Sequence, residues 1–310
     1  MRLTGGFREC GALLLLCLLH LALATPSMAQ DIEPRSYSNA PVGVNFLITG
    51  YIYTNGGLAF DSASPIQNPK LTTSSAVAAY ARVLGIAGRS AKCDVIVPYS
   101  WLDGSADYQG ERVTREVSGL MDPRVRFSVN LLGAPALSLK EFAGYRQNVI
   151  LGASVQASVP LGQYDPARLV NLGSNRWFVK PELGISKHIG RLTLEGAAAA
   201  ILFSDNDEFY VGRTRSQDPL YSFQGHVVYG FRSGIWGAFD ANYFTGGQVT
   251  LDGVANDDRQ ENWRLGGVLT FPVNRRNSVK IHGSSGVSAR TGNNFDAAGI
   301  AWQFRWGGGL

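Results

Sequence analysis

Apolar and polar residues alternate with a period of two along most of the chain. At 298–310, Ile300, Trp302, Phe304 and Trp306 fall on even positions, with Ala301, Gln303 and Arg305 between them. Strand side chains point alternately to opposite faces, so this stretch has one aromatic-aliphatic face and one small or polar face. A helix cannot use that period. The pattern is cleanest at 124–131, where Val125, Phe127, Val129 and Leu131 alternate with Arg124, Arg126, Ser128 and Asn130. Twelve segments of this kind are predicted: 44–54, 71–84, 93–101, 124–131, 148–160, 177–187, 192–202, 221–231, 235–244, 263–273, 279–289 and 298–310. Most run about 9–14 residues, the length of a tilted strand that crosses a bilayer.

The connections alternate too. Long polar links at 55–70, 102–120, 161–175, 204–219 and 246–262 interleave with short ones at 85–90, 188–191, 232–234 and 274–277. The link 133–147 breaks the rule, and within it 136–143 reads as a brief amphipathic helix with Leu137, Phe142 and Ala143 inward. Long loops on one rim and tight turns on the other predict an all-β fold, a transmembrane antiparallel up-and-down barrel of twelve strands. Residues 42–310 form that barrel, 30–41 are a periplasmic lead-in, and strand 298–310 closes against 44–54. Pro181, inside a strand, removes one ladder donor and predicts a bulge or kink near the rim.

Alternation does not say which face meets lipid. A soluble twelve-stranded barrel would enclose a wide apolar hollow, because side chains fill the interior only at about eight strands. The six Trp fall near strand ends, as interfacial girdles require, although Trp236 lies on the polar parity of its strand. The apolar parity is therefore assigned to lipid. The polar parity then points Arg124, Arg126, Lys180, Glu182, Glu195, His226, Asp240, Arg264, Lys280, His282 and Arg305 into the lumen. On the lipid side, an Arg or Lys at the midplane would cost about 2–4 kcal/mol. Mixed signs allow two readings of these residues: a salt-bridge network that fills the barrel, or a pore lining that selects a solute.

Composition supports the membrane reading. Charged residues make up 17% of the chain, against roughly 25% in soluble domains. Residues 1–29 read as a cleaved signal peptide: Arg2 and Arg8 precede an apolar run, and Ser27-Met28-Ala29 is the preferred cleavage site. Their removal takes two Arg and one Glu from 28 basic and 24 acidic residues, leaving a nearly neutral chain with no case for nucleic acid. Cys10 and Cys17 lie in the signal, so Cys93 stands alone and makes neither an intramolecular disulfide nor a cysteine metal site.

Candidate chemistry is sparse. No Gly-rich phosphate loop opens a helix, and no cofactor is expected. The acidic run Asp205-Asn206-Asp207-Glu208 has oxygen ligands for Ca²⁺ but not the EF-hand spacing, so it reads as a solvated outer loop and no metal is assigned. His282 and Ser284 share one strand face, with Asn293 and Asn294 nearby. His-activated Ser would make a lipid hydrolase, and outer-membrane phospholipase A is also a twelve-stranded barrel. That enzyme works from its outer face, whereas this pair has lumen parity, so no catalytic residue is assigned and the chain is not expected to be an enzyme.

Several stretches resemble the MetA-pathway of phenol degradation family. They are Pro160-Leu-Gly-Gln-Tyr-Asp165, Asn171-Leu-Gly-Ser-Asn-Arg-Trp177, Lys180-Pro-Glu-Leu-Gly184, Pro272-Val-Asn-Arg-Arg276 and the C-terminal 299–310, together with Asp122-Pro123. The resemblance runs from about residue 40 to the end. It implies an outer-membrane barrel of a Gram-negative cell that passively takes up small solutes, aromatic or hydrophobic ones among them. It supplies no site residues. The expected partners are outer-membrane lipid, the solute and the barrel-assembly machinery, which reads a terminal aromatic strand; here that strand ends on Leu310 rather than Phe. A structural barrel with a plugged lumen is the alternative.

Overall fold

A computed structural model describes residues 33–59, 66–108 and 111–310. The signal peptide and part of the lead-in lie outside these residues. The strands are β1 (Val44–Ala59), β2 (Ile66–Ile86), β3 (Arg89–Tyr108), β4 (Glu111–Leu120), β5 (Arg124–Leu132), β6 (Val149–Ser158), β7 (Phe178–Ile189) and β8 (Leu192–Phe203). They continue with β9 (Asn206–Phe209), β10 (Arg213–Gln217), β11 (Leu220–Gly230), β12 (Trp236–Gly246), β13 (Val249–Leu251) and β14 (Val254–Ala255). The last three are β15 (Gln260–Pro272), β16 (Asn277–Ala289) and β17 (Gly292–Gly307).

Twelve strands close the barrel, each antiparallel to its neighbours, in the order β1, β2, β3, β5, β6, β7, β8, β11, β12, β15, β16, β17. Closure runs from Val44↔Gly307 to Ala59↔Gly292, so the last segment does seal against the first. A closed ladder satisfies backbone donors and acceptors between strands, the condition for crossing a hydrocarbon core. Each predicted segment coincides with one of these strands.

The parity assignment holds around the wall. Tyr51, Tyr99, Phe127, Val155, Leu183, Leu194, Phe223, Phe239, Ile281 and Ile300 are exposed on the outside. Ser128, Asn130, Ser154, His226, Asp240, Asn242 and Arg264 are buried on the inside. An apolar belt of this extent is intolerable in water and is what a bilayer solvates. Trp101, Trp177, Trp263 and Trp302 are exposed on the outer face, while Trp236 turns inward beneath the Arg35 guanidinium, 5.0 Å from its ring centroid.

Three local expectations need correction. First, the links on the long-loop rim are not plain loops. Link 102–120 contains the continuation of β3 and all of β4, which pairs with β3 from Tyr99↔Leu120 to Tyr108↔Glu111. Links 204–219 and 246–262 supply β9, β10, β13 and β14, a separate four-stranded sheet over a small core of Leu169, Phe209, Val249 and Leu251. These strands are too short to show a two-residue period, and the pairing that joins the two hairpins, Arg215↔Leu251, is distant in sequence. Second, the helix in 133–147 is a single turn, α1 (Leu139–Phe142). Ser138 caps it in a reciprocal box with Glu141, so it begins later than the apolar pattern suggested. Phe142 packs on Tyr145 at 5.5 Å, but Ala143 is exposed rather than inward. Third, Pro181 interrupts the β7–β8 ladder between Val179↔Leu202 and Glu182↔Ala199 without shifting its register.

Candidate functional site: the barrel lumen

The lead-in shapes the lumen. From the short-turn rim, residues 33–43 fold into the barrel rather than away from it. Tyr37 is buried against β6 and β7, where its hydroxyl donates to Glu182 Oε1 at 3.0 Å and shares a hydrogen bond with Ser154 Oγ at 3.2 Å. The wall makes room for it with glycine. A Cβ on Gly152 would sit 2.1 Å from the Tyr37 ring and one on Gly184 2.2 Å from it, and these two glycines pair across the ladder. Arg35 donates its backbone N–H to Glu195 Oε2 at 2.6 Å. Further up, Glu33 forms an ion pair with Arg126 Nη1, and the Arg126 Nε donates to both Asp94 oxygens at 3.1 and 3.2 Å. Lys92 Nζ donates to the Ser36 carbonyl.

Beside the lead-in lies a narrow chamber lined by Glu33, Arg124, Arg126, Lys180, Glu182 and Gln224, among others. It therefore joins four of the predicted lumen residues. Lys180 Nζ lies 3.0 Å from Glu182, a pair nearly enclosed by the wall. Glu195 sits lower, held by the Ser186 hydroxyl at 3.1 Å and by the lead-in. Further along β11, His226 Nδ1 and Asp240 Oδ1 of β12 are 2.7 Å apart, both buried. Arg264 is buried over the Phe295 ring at 3.9 Å, donating to the Phe295 carbonyl at 3.0 Å and to Ser284 Oγ at 2.7 Å. Lys280 and His282 share this wall with Ser284, and His282 lies over Gly299, where a Cβ would meet its ring at 2.4 Å. Arg305 has the same parity but lies exposed at the short-turn rim, donating to the Arg275 carbonyl at 2.7 Å.

The parity argument located wall residues but missed the lead-in's contribution of Glu33, Arg35 and Tyr37. Asp94 also lines the lumen on the polar parity of 93–101, and Lys92 lies just before that segment. A glycine pair on facing strands, Gly152↔Gly184, is the sequence-visible signal that something bulky approaches the wall there.

Three of the family-like stretches, Asp122-Pro123, 160–165 and 171–177, converge on one structure at the long-loop rim. Asp122 Oδ1 accepts from Gly162 N at 2.9 Å, and Asp122 Oδ2 accepts from Ser174 N at 2.7 Å and Ser174 Oγ at 2.6 Å. Gly162 and Gly173 touch so closely that a Cβ on Gly162 would sit 2.8 Å from Gly173 Cα. Asn171 locks the intervening turn, donating to the Asp165 and Arg168 carbonyls at 3.0 and 2.9 Å. Gln163 N then donates to the Leu120 carbonyl at 2.7 Å, and Arg115 Nε to the Val170 carbonyl at 3.2 Å. The loop thus covers the side of β4 that makes no ladder with another described strand. In the acidic run, Asn206 is buried and accepts from the Glu208 N–H at 3.1 Å, while Asp205, Asp207 and Glu208 are exposed.

The family model described as "Putative MetA-pathway of phenol degradation" matches residues 54–304. No curated protein matches the chain by sequence. Among solved structures, the COG4313 outer membrane channel from Pseudomonas putida F1 aligns with TM-score 0.75 and 22% identity, covering 89% of this chain and 100% of that one. The beta domain of the Bordetella autotransporter BrkA aligns with TM-score 0.52 and 11% identity, over 86% and 100%. The transport unit of the autotransporter AIDA-I from Escherichia coli gives TM-score 0.52 and 9% identity, over 96% and 98%.

Proposed function

Because the chain belongs to the MetA-pathway of phenol degradation family, we propose that it is an outer-membrane channel that admits small solutes passively, aromatic compounds among them. The observation that carries this reading is a closed, lipid-facing barrel whose lumen holds a narrow chamber lined by charged groups of both signs. The family description supports aromatic solutes, and a channel of similar fold supports passage. The lumen residues Arg124, Arg126, Lys180, Glu182, His226, Asp240 and Arg264 then serve as polar lining. The lead-in stands in the path as a plug held by Tyr37 and Glu33.

Liposome swelling tests this with phenol, benzoate and arabinose, on the full chain and on a variant lacking residues 30–41. Swelling by at least one solute is expected, faster in the shortened variant. No flux through either protein would overturn the channel. Flux through the shortened variant alone would favour the second reading, a barrel kept closed by its own N-terminal segment. The Tyr37 contacts with Ser154 and Glu182 are what favour that second reading.

A hydrolase reading finds less support. Ser284 Oγ accepts a charged hydrogen bond from Arg264, which stabilises the oxygen as an acceptor rather than as a nucleophile handing its proton to a base. Ser284→Ala is expected to leave lipid hydrolysis at the background of the empty membrane.

A further inference from the structure

Two arginines sit where the four-stranded outer sheet meets the barrel mouth. Arg176 belongs to the Asn171–Trp177 turn and lies over the Phe203 ring at 4.3 Å, its Nη2 donating to Gln217 Oε1. Arg215, two residues before Gln217 on the same face of β10, lies over the Phe209 ring at 5.3 Å. Their relative exposures are 5% and 4%. Three of their enclosed nitrogens, Arg176 Nε and Nη1 and Arg215 Nε, have no hydrogen-bond partner among the described residues. Nor does either guanidinium have a carboxylate within ion-pair distance there.

Two like charges buried together are costly unless an opposite charge joins them. Burial pushes the Arg215 guanidinium down to about 10, and burial with the neighbouring Arg215 cation holds Arg176 well below its ordinary value. The carboxyl facing Arg215 is Asp258, whose Oδ1 accepts from the Val249 N–H at 2.8 Å and whose Oδ2 is enclosed without a partner. Burial raises the Asp258 carboxyl, and Asp122 and Asp205 act on Arg176 only from beyond ion-pair distance. Aromatic faces from Phe203 and Phe209 support the cations from one side only. The unmet requirement is for acceptor oxygens carrying negative charge, the chemistry guanidinium binds best.

We propose that the outer cap binds a small oxyanion, a carboxylate or a phosphate, between Arg176 and Arg215. The site stands at the mouth of the lumen, outside the chamber, and does not depend on whether the barrel conducts.

The test uses the full chain folded in detergent micelles, with benzoate and inorganic phosphate titrated separately against a chloride background. Saturable heat of binding is expected for at least one of them: benzoate alone marks a solute carboxylate, phosphate alone a phosphate group. Arg176→Gln and Arg215→Gln should each weaken it about tenfold or more, since a hydrogen bond to a charged group contributes that much. Heat-modifiable gel migration reports whether each variant has folded. Should a variant fail to fold, the wild-type thermal midpoint decides, because a bound anion must raise it as its concentration rises. The proposal is overturned if neither anion binds saturably nor raises the midpoint. It is equally overturned if folded variants bind like the wild type. Binding is read in micelles and flux in liposomes, so the two proposals fail independently.

Discussion

Tyr37 packs against Gly184 so closely that a Cβ on the glycine would sit 2.2 Å from its ring. The same ring meets Gly152 on the neighbouring strand. No rotamer adjustment of a stiff aromatic absorbs that overlap, so the plug docks only on a bare backbone. Gly184→Val, which suits a strand, is expected to leave the barrel intact and displace the lead-in. Tyr37→Ala should loosen the same contact, at a cost on the order of 3 kcal/mol for a buried aromatic. Planar-bilayer recording checks both: each should conduct more than the wild type, and unchanged conductance would show that Tyr37 does not limit the path.

Arg126 joins the plug to the wall by bonding both Glu33 and Asp94. Arg126→Met preserves the stem and removes the charge. It leaves Asp94, 6% exposed, as a buried carboxylate without its partner. Breaking such a pair costs on the order of 3 kcal/mol. The heat-modifiability midpoint should fall, and Arg126→Met with Asp94→Asn should recover part of the loss. A double variant no better than the single would argue that the two groups are not coupled.

Asp122 gathers three hydrogen bonds from Gly162 and Ser174. Asp122→Ala should free the 159–177 loop, at about 1–3 kcal/mol for stranded donors. Limited trypsin digestion of the folded protein is expected to cut at Arg168 in the variant and to spare it in the wild type. Equal protection in both would mean that Asn171 alone holds the turn.

Adjacent residues on β7 separate the two faces. Leu183 is 59% exposed outward, while the Glu182 side chain is 9% exposed inward. Leu183→Arg is expected to lose about 2–4 kcal/mol of folding stability in vesicles, the depth-dependent cost of a charge in lipid. Glu182→Gln keeps the shape of the side chain and a hydrogen-bond acceptor for Tyr37, and should cost less. Chaotrope unfolding in phosphatidylcholine vesicles measures both, and the reverse ranking would invert the assignment of faces.

The sequence by itself determined the wall. A two-residue period is a local property: whichever strands pair, Val125 and Phe127 must face away from Arg124 and Arg126, and charge is too costly to leave in lipid. That reasoning is enough for twelve strands, their facing and the closure of β17 on β1. It also placed Arg264, His226 and Asp240 inside, without revealing that His226 meets Asp240 across one ladder while Arg264 meets Ser284 across another.

The tertiary structure decided what occupies the lumen and what covers its mouth. Nothing periodic in 33–43 directs it into the barrel; that follows from two glycines more than a hundred residues away on the chain. The outer sheet is likewise assembled from short polar segments whose partners are set by chain closure rather than by pattern. Nothing in the local sequence shows that Arg176 and Arg215 are buried, because burial of a charge depends on distant neighbours. Side-chain facing along a strand is fixed by backbone geometry, but the contacts that build the plug and cap are long-range, and only the folded chain brings them together.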